Sequence, residues 1–131
     1  MKNLRWQLFS YLLPLKKPLS LLGKEIFYRK GLILRLYDDS GNKLSNEIFG
    51  EGEIATFSGL HKESHYLAEK QIRNYLSIEQ TLFNKSRKSL FSSVSFGLDM
   101  AKRTLFNNLK NFHENRKIKE NKSDNIHKKR R

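Results

Sequence analysis

Gly50-Glu51-Gly52-Glu53-Ile54-Ala55 is the stretch on which the fold turns. Its spacing fits G-x-G-x-x-A, the fingerprint of a dinucleotide-binding turn. In that turn glycines close a strand-to-helix corner, and a helix N-terminus receives the pyrophosphate. Two features speak against that use here. The glycines lie inside a strand pattern running from Ile48 to Ala55, and Glu51 and Glu53 would repel a phosphate. Glycines inside a strand instead allow another backbone to come close. The segment therefore predicts a strand with a tightly packed face rather than the opening of a nucleotide fold.

Working toward the N-terminus, period-two alternation continues. Leu4, Trp6 and Leu8 face one way and Arg5, Gln7 and Phe9 the other, as in a half-buried strand. Pro14–Gly23 is expected to interrupt pairing, because each proline lacks a ladder donor. A second strand is predicted over Ile26–Tyr37, with Leu32, Leu34 and Leu36 on one face, and Asp38-Asp39-Ser40-Gly41-Asn42 has turn chemistry. Strands joined in this way predict an antiparallel meander.

Toward the C-terminus the period changes at Lys62. Ala68, Ile72, Tyr75 and Leu76 fall on one face of a helix. After a Ser/Lys-rich break at Asn84–Ser89, the positions Val94, Leu98, Ala101, Leu105, Leu109 and Phe112 form a second, longer stripe, with Ser92 or Ser93 as its N-cap. Strands first and helices afterwards predict an α+β fold: a three-stranded antiparallel meander followed by a small helical bundle. Residues 1–113 make that domain. Glu114–Arg131 holds eight Lys/Arg, three acids and only two apolar residues, Ile118 and Ile126, and is expected to be a disordered basic tail.

Composition narrows the function. With 131 residues the chain is too short for a complete (β/α)8 barrel, which takes roughly 250. The absence of cysteine removes disulfides, thiolate catalysis and Cys-ligated zinc. No apolar run approaches the ~20 residues that span a bilayer, and the apolar segment after Lys2 and Arg5 lacks a signal-peptide cleavage site, so a soluble, cytoplasmic protein is expected. Glu51 and Glu53 sit about 7 Å apart on one strand face, a spacing that could flank a water, but neighbouring cations are expected to pair them. His61 and His65 have the i, i+4 spacing of a zinc-protease helix, but Glu63 is one place out of position and no third ligand is evident. No catalytic residue and no metal ligand is therefore assigned.

The net charge of +13 and the runs Lys117-Ile118-Lys119 and Lys128–Arg131 seek phosphate. No recognition helix, stacking-aromatic pattern or zinc finger accompanies them, so neither a nucleic acid nor a membrane is the expected partner. A small basic module binding one or the other is the competing reading.

Five segments, in order, resemble the N-terminal capping domain of the enolase superfamily, most closely that of the o-succinylbenzoate synthase family. They are Tyr11-Leu12-Leu13-Pro14-Leu15 with Lys17-Pro18-Leu19, then Arg29–Leu36, then Gly50–Leu60, then Lys62-Glu63-Ser64, and finally Ser93–Ala101. Thr56, Ser58 and Ser92 stand where the family usually has prolines. The resemblance implies a cap that works over a (β/α)8 barrel, supplied in cis or in trans. The barrel's lysines abstract a proton, and its carboxylates hold the Mg2+ that the complete family enzyme requires in menaquinone or phylloquinone synthesis. This chain is expected to need no cofactor of its own, to meet a small-molecule substrate only together with that barrel, and to be a truncated, inactive cap when alone. Lys117-Ile118-Lys119 mimics the barrel's Lys-x-Lys but comes too soon after Ala101 to be it. The substrate-capping residues implied by position are Leu19, Leu21, Leu22, Gly23 and Lys24 after the first strand, and Thr56, Phe57, Ser58, Gly59 and Leu60 after the third. Phe57 and Leu60 would be the apolar tips. Caps of muconate cycloisomerase or dipeptide epimerase type are the alternatives within the superfamily.

Overall fold

The computed structural model describes residues 4–38, 47–57, 62–78 and 89–129, the side chains of 78, 120 and 122–129 excepted. Strands β1 (Leu4–Leu21), β2 (Lys24–Asp38) and β3 (Phe49–Ala55) precede helices α1 (His65–Ile78) and α2 (Ser92–Lys129). The strands form one antiparallel sheet in the order β1-β2-β3, the expected meander.

Pairing fixes which residues share a face. Leu32, Leu34 and Leu36 lie opposite Ile54, Gly52 and Gly50 on one side and opposite Ser10, Leu8 and Trp6 on the other. That face is the core. Leu32, Leu34, Leu36 and Ile54 are buried against Ala68, Ile72, Tyr75 and Leu76 of α1 and against Val94, Leu98, Ala101, Leu105 and Leu109 of α2. Both apolar stripes foreseen by helical periodicity are thus the buried ones, except for Phe112 at the end of the second, which is half-buried and outside this core. Trp6, Leu4 and Leu8 pack at the margin of this core, partly exposed.

The prolines do not end β1. The strand runs on to Leu21, and the ladder only slips between Pro14 and Leu19 before pairing resumes at Leu19 with Ile26. The segment expected as a loop, Leu19–Lys24, is consequently the closed end of a hairpin. Leu19, Ser20 and Leu21 pair with Ile26, Glu25 and Lys24, leaving only Leu22 and Gly23 as the turn, both at positive φ (51° and 76°). Two successive positive φ values match the right-handed twist of the flanking strands. Lys24 is seven residues from Gly31, where β3 pairing ends, so the two-stranded ribbon projects about 23 Å beyond the three-stranded part.

Two further expectations are corrected. Neither Ser92 nor Ser93 caps α2 with its own side chain. The carbonyl of Phe91 accepts the first helical bond from the Ser95 N–H at 2.9 Å, and the buried carboxylate of Glu63 accepts from the Ser93 hydroxyl at 2.5 Å and its N–H at 3.4 Å. An acidic group at a helix N-terminus satisfies an orphan donor and complements the dipole, and here it comes from 30 residues earlier. The neighbouring Ser64 caps α1, accepting from the Leu67 N–H at 3.2 Å.

The disordered tail expected from Glu114 is the second correction: α2 continues as helix to Lys129. A tail that had to nucleate its own helix would not form one. Here the packed turns from Ser92 to Leu109 supply the nucleus, and Lys, Arg and Glu propagate it at small cost.

Candidate functional site

The opening stretch is used for close packing. A Cβ at Gly52 would overlap the Gly97 carbonyl oxygen, one at Gly50 would overlap the Ala101 carbonyl and the Leu105 backbone nitrogen, and one at Gly97 would press on Ile54 and the Glu53 carbonyl. Helix α2 therefore crosses β3 backbone to backbone. Thr104 and Asn108 add hydrogen bonds from their side chains to the carbonyls of Glu51 (3.2 Å) and Phe49 (2.8 Å). No phosphate-binding corner exists at these glycines.

Glu51 and Glu53 point to the opposite, outward face, and both are paired. Arg35 Nε donates to Glu51 at 2.5 Å and Arg29 Nη2 to Glu53 at 2.6 Å. The Tyr11 hydroxyl also donates to Glu53, and a Cβ at Gly31 would fall on the Tyr11 ring. Tyr11, Arg29, Gly31 and Glu53 thus form one interlocked cluster. Burial and the hydrogen bond to Glu53 push the Tyr11 phenol up to about 12. Two open concavities flank the cluster, one of about 340 Å³ bounded by Ala55, Phe96 and Met100, the other of about 320 Å³ bounded by Leu13 and Ile33. Arg35 lies over the rings of Phe9 (5.0 Å) and Phe49 (4.6 Å), which fixes its guanidinium in place.

The other chemical candidates come apart. His61 lies outside the described residues. The His65 imidazole sits 4.0 Å from Glu69, and burial, with the positive charge of Lys30 adding to it, lowers its pKa. Among the described residues no three His, Asp or Glu side chains gather to hold a metal. The paired carboxylates of Glu51 and Glu53 do not suit Mg2+ either, since each is already committed to an arginine.

The described residues expected to cap a substrate lie toward the same end of the sheet, the first group about 23 Å farther out than the end of β3. Leu19, Leu21, Leu22, Gly23 and Lys24 close the projecting ribbon, with Leu22 at its tip 68% exposed. Thr56 and Phe57 follow β3 and are half-buried. Ser58, Gly59 and Leu60 lie outside the described residues. Two features had no single-segment signal. The Glu63 cap and the Tyr11–Glu53 contact join residues 30 and 42 apart, which no local pattern reports.

Comparison with known proteins bears on these motifs. The family model described as the MenC N-terminal domain matches residues 3–105. An o-succinylbenzoate synthase from Thermosynechococcus elongatus BP-1, solved with Mg in its active site, shares the fold at a TM-score of 0.59 and 25% identity, over 76% of this chain and 29% of that one. The substrate-liganded L-Ala-D/L-Glu epimerase of Bacillus subtilis is similar in fold, with a TM-score of 0.59 and 23% identity over 77% of this chain and 30% of its own. No curated protein matches the chain. The chain spans less than a third of either solved relative. Since the family model covers most of its length and the fold is shared with these structures, this chain belongs to the MenC N-terminal domain family, a cap domain of the enolase superfamily.

Proposed function

We propose that this chain is the substrate-capping part of an o-succinylbenzoate synthase-like lyase, acting with a (β/α)8 barrel supplied in cis or in trans. The observation that carries the reading is Leu22. A leucine at φ 51° is strained by roughly 1–2 kcal/mol, and this one also holds its side chain in water at the tip of a ribbon clear of the body. Asparagine or glycine would relieve the strain, so an apolar group at this point suits contact with something else.

A barrel mouth fits. The tip and the Thr56–Phe57 segment lie toward the same end of the sheet, about 23 Å apart along the strands, so that together they could cover a wide opening. Covering the cavity excludes water and strengthens every electrostatic interaction inside. Mg2+ and the proton-abstracting lysines belong to the barrel in this reading; the share of this chain is positional.

The test is a chimera in which residues 3–105 replace the matching cap of the Thermosynechococcus synthase. The expected result is a folded enzyme that forms o-succinylbenzoate in a Mg2+-dependent reaction and loses at least tenfold in kcat/KM on Leu22→Asp. A folded chimera that is no faster than the barrel alone would overturn the reading.

A further inference from the structure

Prolines, lysines and bulges keep an edge strand from pairing. β1, an outer strand of the sheet, has all three, but only after residue 13: Pro14, Lys16, Lys17 and Pro18, with the ladder slipping between Pro14 and Leu19. From Leu4 to Leu13 it holds one charge, Arg5, no proline and no glycine, and it pairs with β2 in unbroken register. Every second residue of an outer strand turns its backbone N–H and C=O away from its neighbour. No described strand pairs with those groups on β1.

The side chains of this stretch are incompletely covered on both faces of the sheet. On the helix side Trp6 and Leu8 reach only the margin of the core, and Leu12 is 61% exposed. On the outer side Phe9 and Leu13 are exposed, at 43% and 54%. The one charge, Arg5, already lies over the Tyr37 ring, so the complement of this stretch is an apolar strand rather than an acidic one.

We propose that this stretch of β1 pairs antiparallel with the same stretch of a second copy, around a two-fold axis at Phe9. The sequence is complementary to itself in that arrangement. Residues 4–14 laid antiparallel on themselves overlap fully only when centred on residue 9, and then no charge opposes a like charge. On the outer face Arg5 lies opposite Leu13 of the second copy, Gln7 opposite its Tyr11, and the two Phe9 rings meet. On the helix side Trp6 meets Leu12 of the second copy and Leu8 its Ser10, which carries the margin of each core across the join. Because paired residues share a face, two three-stranded sheets become one, with all helices on the same side. The ribbons beyond Pro14 then point in opposite directions with their tips free, so the pairing goes beyond the capping reading and does not depend on it.

The experiment is sedimentation velocity of the full chain from about 1 to about 100 μM, where a monomer–dimer equilibrium is expected for an interface of this modest size. Leu13→Lys sets a lysine opposite Arg5 twice in each pair and should weaken dimerisation about tenfold. Adding Arg5→Glu makes both contacts attractive and should bring the dimer back to within about threefold of the original. Leu19→Lys, on the same strand beyond the prolines, should change dimerisation less than about threefold. Circular dichroism checks that all three variants keep the fold. A chain that stays monomeric throughout the range would overturn the pairing. Equal losses in Leu13→Lys and Leu19→Lys, or a folded double variant that stays monomeric, would overturn the two-fold at Phe9.

Discussion

Gly52 and Leu22 are opposite cases of one residue's conformational freedom. At Gly52 the helix lies so close that no side chain fits. Gly52→Ala is expected to cost about 3 kcal/mol or more, read as a lower urea midpoint at unchanged m-value. Leu22 pushes the other way: Leu22→Asn should raise stability by about 1 kcal/mol, because asparagine tolerates the left-handed conformation, and the same substitution should lower turnover of the barrel chimera. Tyr11 sets an alkaline limit. Unfolded, its phenol ionises near 10; folded, near about 12, so its contribution is intact below pH 10 and is lost as pH rises toward 12. Tyr11→Phe should flatten the fall in thermal midpoint over that interval. At this scale the sequence was legible for Gly50 and Gly52, whose place inside a strand pattern told against a phosphate turn. It was silent on Leu22, because a strained φ depends on which two residues the ladder leaves unpaired.

Among elements, the join between α1 and α2 rests on the pair Glu63-Ser64. Ser64 starts α1 while Glu63, buried, holds the first turn of α2. Glu63→Ala should cost about 2 kcal/mol, since it orphans a buried hydroxyl and an N-terminal N–H together, whereas Glu63→Gln keeps an acceptor and should cost less than half of that. Combining Glu63→Ala with Ser93→Ala should cost clearly less than the sum, and chemical denaturation of the four proteins measures this coupling. Gln71 supports the same join, donating to the Ser89 carbonyl at 3.3 Å and accepting from the Phe91 N–H at 2.8 Å. Periodicity gave both helices and their buried faces, because a 3.6-residue repeat is written in neighbouring residues. It could not give the cap, which is a contact across 30 positions, nor the course of α2 past Leu109, which depends on a nucleus formed elsewhere.

For the molecule as a whole, strand–strand–strand–helix–helix order was enough to specify an α+β meander, and the motif order was enough to specify the family. For the proposed capping site the sequence supplied candidates and not their placement. Resemblance by position offered the candidates, but that Leu19–Lys24 close a projecting hairpin and Thr56 and Phe57 follow β3 toward the same end emerges from pairing alone. Among the described residues no helix is long and apolar enough to cross a membrane.

The hydrogen bonds from Thr104 and Asn108 to the carbonyls of Glu51 and Phe49 bear on how copies of the molecule can meet. An open sheet with two bare edges can recruit strands on both sides and grow without limit. Here α2 already occupies two successive acceptors along β3, which shuts that edge to an incoming strand. Among the described residues β1 is the other edge, and its far half carries two prolines and two lysines that discourage pairing. Two copies joined through β1 would leave only covered β3 edges outward, so strand addition through these described edges would end at a pair and would not proceed to a filament.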